Sequence, residues 1–315
     1  MYNIYMSIFD LFKPKHEEEP YEHGTGSLPN SYDNRDIPAA AVLSEKATRP
    51  RRFKSDIEFL GVEDQRRHGS CVGQVEGKQV EFFEYVENEQ VVRISKRFVY
   101  SECKKRDGHD GEGTYPRIAA KVLMDVGAAK ESDVEDDNRL PYNEYVDPDV
   151  SSETYEDAKH RQVKGYAFVN ALDQEELLKS IYKAGVLPAS ITVGNTSILP
   201  IQPFPVRGGH RILITGYEET HAGIKIFFLN SWGDDWGNDG EGWLWYHDFI
   251  GILRDVILYT DLPNDWIEEA KNKRFIFTRT LHLDDIGEDV RKLQERLNED
   301  PDTKLSTREI GRAHV

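Results

Sequence analysis

Gln65-Arg66-Arg67-His68-Gly69-Ser70-Cys71 sets a glutamine ahead of a lone cysteine, and the cysteine opens a stretch of helical spacing. Val72, Val75, Val80, Phe83 and Val86 recur at intervals that predict a largely buried helix beginning at Cys71. Far downstream stand His210 and then Asn230, at the head of Asn230-Ser231-Trp232-Gly233. A thiolate nucleophile needs an imidazole to exchange its proton, a third group to orient the ring, and donors aimed at an oxyanion. The four residue types occur here in that service. A sulfur on the first turn of a helix is also placed where its pKa is lowered, with Ser70 as the expected N-cap.

Outward from this stretch, the first half of the chain reads as helical. A second helix is expected from Pro116 to about Val126, stopped by Gly127, and a third over Gln174–Ala184, closed by Gly185. The second half changes period. Residues 187–193, 211–217 and 225–229 are β-branched or aromatic runs bounded by turn residues, and 243–246 looks like another strand. The expected class is α+β with two lobes: a helical N-terminal lobe carrying Cys71, and an antiparallel, barrel-like C-terminal lobe carrying His210 and Asn230. A site built from both would lie in the cleft between them.

These residues resemble a known family. The segment from Gln65 to Cys71 is similar to the nucleophile motif of papain-like cysteine peptidases. Gly208-Gly209-His210-Arg211-Ile212-Leu213-Ile214-Thr215-Gly216-Tyr217 resembles the family's histidine strand, and Asn230-Ser231-Trp232-Gly233-Asp234-Asp235-Trp236-Gly237 its asparagine motif. Leu28-Pro29-Asn30-Ser31-Tyr32-Asp33 resembles the start of the mature domain. The resemblance implies that Cys71 attacks a peptide carbonyl, His210 carries the proton, Asn230 orients the ring, and Gln65 with the Cys71 N–H forms the oxyanion hole. It implies that Trp232 covers the Asn230–His210 bond, and that Gly113, Thr114 and Gly209 line the substrate groove. The chain departs from the pattern at His68 and Val72. Arg211 stands where a small residue is common, so its long side chain is expected to narrow or charge the cleft. No cofactor or metal is implied.

Composition bounds the partners. Hydrophobic residues at 38% and aromatics at 11% describe a globular chain. A formal charge of −17 argues against a nucleic-acid partner, which requires a basic face. The expected partner is a protein or peptide substrate. No stretch approaches the ~20 apolar residues of a membrane span. With only two cysteines, Cys71 and Cys103, no disulfide framework can form around a nucleophilic Cys71. The apolar start, Met1 to Phe12, lacks the features of a signal peptide and is expected to form a short amphipathic helix.

Residues 1–27 read as leader and linker, 28–265 as the peptidase domain and 266–280 as a second linker. In 281–308, Val290, Leu293 and Leu297 share a helical face that resembles the first helix of a peptidoglycan-binding-like module, which adds cell-wall glycan as a partner. Residues 309–315 resemble the in-frame translation of a common sequencing adapter. With only about 27 residues before Leu28, a long inhibitory pro-region is not expected. Location reads two ways: cysteine usage and the missing signal point to the cytoplasm, and the terminal module to the cell envelope. Against a cysteine endopeptidase stand two alternatives, a peptidoglycan cross-link peptidase and a catalytically silent peptide-binding or assembly protein.

Overall fold

In the computed structural model, which describes residues 23–43, 48–194 and 206–260, helix α1 (Cys71–Asn88) begins at the cysteine, as its periodicity predicts. Its burial goes beyond the apolar stripe. Every residue from Cys71 to Phe82 is buried, including Gln74, Glu76, Lys78, Gln79 and Glu81. Charges enclosed this way must find partners. Glu81 accepts from Lys96 Nζ at 2.6 Å and from the Ile94 N–H at 2.9 Å. Lys78 Nζ and Lys96 Nζ both reach Glu63, at 2.6 and 2.9 Å. The cluster ties α1 to the loop that leads into Gln65, and to α2 (Lys96–Asp107).

Helix α2 is the longest of the elements that periodicity missed. Lys96, Arg97, Glu102, Lys104, Lys105, Arg106 and Asp107 make it strongly polar, and it is packing that buries Phe98, Val99, Tyr100 and Cys103. Ser95 caps it, accepting the Phe98 N–H at 3.0 Å. Gly73 lets it close on α1, because a Cβ there would stand 2.7 Å from Tyr100 Cβ. Ser70, by contrast, makes no capping bond to α1. Its backbone (φ −94, ψ 10) is not the extended conformation from which an N-cap side chain folds back. Helix α3 (Pro116–Asp125) starts on its proline and stops before Gly127, whose φ of 86 favours glycine.

Two short helices follow, α4 (Tyr142–Tyr145) and α5 (Ser152–Ala158), then α6 (Gln174–Ala184) with the expected bounds. The strands are β1 (Arg52–Lys54), β2 (Gly165–Phe168), β3 (Leu187–Val193), β4 (Gly208–Thr220), β5 (Gly223–Leu229), β6 (Glu241–Trp245) and β7 (Leu253–Thr260), with α7 (Tyr246–Ile252) between the last two. They form a seven-stranded antiparallel sheet in the order β2-β7-β3-β4-β5-β6, with β1 on the far half of β4. Strand β4 is longer than its β-branched centre because β3, β5 and β1 all pair with it. The sheet stays open between its end strands β2 and β6. The expected α+β, two-lobe arrangement is therefore present: helices first, sheet second. One core spans both, with Val80, Phe98, Val99, Ala120 and Leu123 packed against Ile257 and Tyr259 of β7.

Among the described residues no helix is long and apolar enough to cross a membrane. The expected helix at the start of the chain, the linker 266–280, the helix in 281–308 and the adapter-like end lie outside the described residues.

Burial alone would raise the Glu63 carboxyl, but Lys78 and Lys96 outweigh it and hold the pKa at about 2, below the ordinary 4.5. A carboxylate depressed on folding contributes stability that is whole above the unfolded pKa and is lost as pH falls through the folded one. The unfolding midpoint should therefore drop between pH 4.5 and about 2. Glu63→Gln should flatten that drop and cost about 2 kcal/mol at neutral pH in denaturant titrations.

Candidate active site

Gln65 is joined to the asparagine segment from both ends. Its N–H donates to the Ser231 carbonyl at 2.9 Å, and Ser231 Oγ donates to Gln65 Oε1 at 2.7 Å. That leaves Gln65 Nε2 to donate to the carbonyls of His68 at 2.8 Å and of Gly24 at 3.1 Å. His210 and Asn230 also meet, with Nε2 donating to Oδ1 at 2.7 Å, and the same Oδ1 accepts the Ser231 N–H at 2.9 Å. The second bond fixes which way the amide faces, and hence the ring tautomer. Trp232 covers the pair, its ring 4.4 Å from the imidazole. His210 Nδ1 is buried with no hydrogen-bond partner.

Cys71 opens α1. It is completely buried, and the backbone N–H groups of Arg211, Gly26 and Val72 point at its sulfur. Burial still dominates and pushes the thiol up to about 11. Burial likewise lowers His210 to about 4, against the Asn230 bond that works the other way. No hydrogen bond joins Nδ1 to the thiol. Both groups are held neutral.

The cause is the chain itself. Residues 23–28, expected as the end of a leader and the first residue of the domain, run through the groove. The Thr114 N–H donates to the Gly26 carbonyl at 2.8 Å, and the Leu28 N–H to the Thr114 carbonyl at 2.9 Å, a parallel pairing of Ser27 with Thr114. On the other wall the Ser27 N–H donates to the Gly209 carbonyl at 2.9 Å. His23 stacks on Trp232 at 5.1 Å. Gly113, Thr114, Gly209 and Trp232, the expected groove residues, thus all border this segment; a Cβ on Gly113 would stand 2.7 Å from the Gly26 carbonyl oxygen. Only glycine fits at position 26, where a Cβ would fall 1.8 Å from the Gly69 carbonyl oxygen. The run Gly24-Thr25-Gly26-Ser27 was the available signal, and its small residues read as linker.

Arg211 does not stand in the cleft as a free charge. It is fully buried, with Nε and Nη2 on Glu76 Oε1 at 3.0 and 2.8 Å and Nη1 on Asp255 Oδ1 at 2.7 Å. His68 is a satisfied core histidine, with Nε2 at 3.0 Å from the Leu140 carbonyl and its ring stacked on Tyr145. Both cysteines are free, and Cys103 packs beside Cys71 among Val72, Ala119 and Val122. Among the described residues no cluster of His, Cys, Asp and Glu is arranged to hold a metal ion.

A family model for papain family cysteine proteases matches residues 50–249, a span holding Cys71, His210 and Asn230. The chain belongs to the papain family. The crystal structure of xylellain, a cysteine protease from Xylella fastidiosa, matches with a TM-score of 0.66 at 24% identity, over 79% of this chain and 100% of that one. Procathepsin B S9 from Trypanosoma congolense matches with a TM-score of 0.57 at 16% identity, over 75% of this chain and 86% of that one. A cysteine protease of Blomia tropicalis is 23% identical over 270 residues, 80% of this chain and 72% of its own length. The protein is a papain-like cysteine peptidase, a hydrolase.

Gly26→Val should dislodge the segment and uncover the sulfur. With the thiol at about 11, the unsubstituted protein should react slowly with iodoacetamide at neutral pH. The variant should be alkylated at Cys71 at least ~tenfold faster, read by mass spectrometry of the labelled peptide.

Proposed function

We propose that this peptidase is an endopeptidase that cuts through a thioester on Cys71. The thiolate attacks the carbonyl carbon, and the oxygen takes the negative charge under the Gln65 side-chain amide and the Cys71 N–H. Collapse breaks the C–N bond, and the His210 proton passes to the leaving amine. Water then attacks the thioester, returning a proton to His210; the carboxylic acid leaves and the thiol is restored. Asn230 keeps the ring in the required tautomer. Thr114 and Gly209 hold the substrate backbone, with Gly113 and Trp232 bordering it.

The observation that carries this reading is Gln65 Nε2 lying 3.1 Å from the carbonyl oxygen of Gly24, in a stretch of chain whose backbone runs on at both ends. A cleft that passes an internal stretch, with its oxyanion donor already on a carbonyl, suits cleavage within chains. Exopeptidases need a wall or charge that stops a terminus. Departure of the segment would also return water to Cys71 and His210. The desolvation that moves their pKa values apart is then relieved, and the charged pair becomes accessible.

Peptides blocked at both ends, offered to the Gly26→Val protein, should be cut internally. Cys71→Ala and His210→Ala should abolish turnover, and Gln65→Ala should lower kcat by about 10²–10³-fold. Cleavage that survives Cys71→Ala, or that is confined to terminal residues, would count against the reading.

A further inference from the structure

Of the six residues in the groove, one side chain is swallowed. Ser27 Oγ donates to Ser190 Oγ at 2.8 Å, with Ser27 1% and Ser190 0% exposed. Ser190 is the middle of a row across three strands: it pairs with Arg211 on β4 and with Asp255 on β7. Arg211 Nη1 donates to Ser190 Oγ at 2.8 Å, and Ser190 Oγ donates to Asp255 Oδ1 at 3.1 Å. The floor of the pocket is therefore polar, filled and internally saturated. It has no room for a longer side chain, because Ser190 and Arg211 are themselves fully buried and held by their bonds. Arg254 fixes the same residue by its backbone, with Nη1 on the Ser27 carbonyl at 3.1 Å and Nε on Thr192 Oγ1 at 3.0 Å.

We infer that the pocket floored by Ser190, Arg211 and Asp255 is a specificity pocket for a small side chain, serine foremost, in whatever polypeptide occupies the cleft. Resting on the endopeptidase reading, this names the substrate class: chains presenting Ser, Thr, Ala or Gly at that position. Leucine and phenylalanine are excluded by size, because their extra carbons meet the fully buried Ser190 side chain. Arg254 adds a requirement on the backbone carbonyl alone, so it serves every side chain equally.

Two measurements test this, and they fail separately. The first needs no turnover and reads the labelling rate of Cys71 in the full chain. Ser27→Leu should release the segment and raise that rate about tenfold, whereas Ser27→Ala should leave it within a few-fold of the unsubstituted protein. Ser190→Gly, which deepens the pocket, should restore protection to Ser27→Leu. Protection unchanged in Ser27→Leu, or not restored by Ser190→Gly, overturns the inference. The second is a cleavage profile of the Gly26→Val protein on a blocked peptide library. One position should favour small residues, with kcat/KM about tenfold or more lower for Leu and Phe, and Ser190→Gly should relax that position alone. A Cys71-dependent profile peaking on Leu or Phe at every position overturns the inference. Loss of all turnover counts against the endopeptidase reading instead, and the labelling result then decides the pocket by itself.

Discussion

One guanidinium holds the two halves of the site in register. Arg211 follows His210 on β4, and its partner Glu76 lies on the helix that begins at Cys71. Its other partner, Asp255, lies on β7. Burial works against the charge on Arg211, and Glu76 and Asp255 outweigh it, so the guanidinium stays protonated. Such a triad adds little net stability, since desolvating three charges offsets most of their attraction. Removing one member is another matter: an unpaired buried charge costs ~3–5 kcal/mol. Its contribution is therefore geometric. The cysteine helix and the histidine strand cannot slide past one another without breaking fully buried charge-assisted bonds.

Burial explains why the sulfur is quiet. Its surroundings supply three N–H donors, which favour a thiolate, and a complete exclusion of water, which opposes it. Exclusion wins. The imidazole sits under the same cover, with its Nδ1 unengaged. Sulfur and imidazole are both buried and uncharged, as exclusion of water dictates.

Much of this was legible in the sequence because it is local. The helix that begins at Cys71, α3, α6 and β3 follow from periodicity, a first-position proline and glycine stops. The Gln, His and Asn motifs are legible because each residue type has few alternative chemical uses in that pattern. What escaped depends on partners distant in the chain. Lys96 to Asp107 looks solvent-facing until Glu63 and Glu81 are placed beside Lys96. Ser70 looks like a cap until its backbone angles are known. Arg211 looks like an intruder in a cleft until Glu76 and Asp255 claim it. Residues 24–27 have no apolar period at all, because their bonds are mostly made by backbone to the backbone of Arg66, Thr114 and Gly209.

A strand that grips the groove through its own backbone is a tethered competitor. Being part of the same molecule, it faces the cleft at an effective concentration of order millimolar, whatever the protein's dilution. Any incoming chain must outbid it, and the measured affinity falls by the fraction of molecules whose groove is open. A chain with few backbone bonds to offer competes poorly under this threshold. A chain able to bond both walls at once competes better.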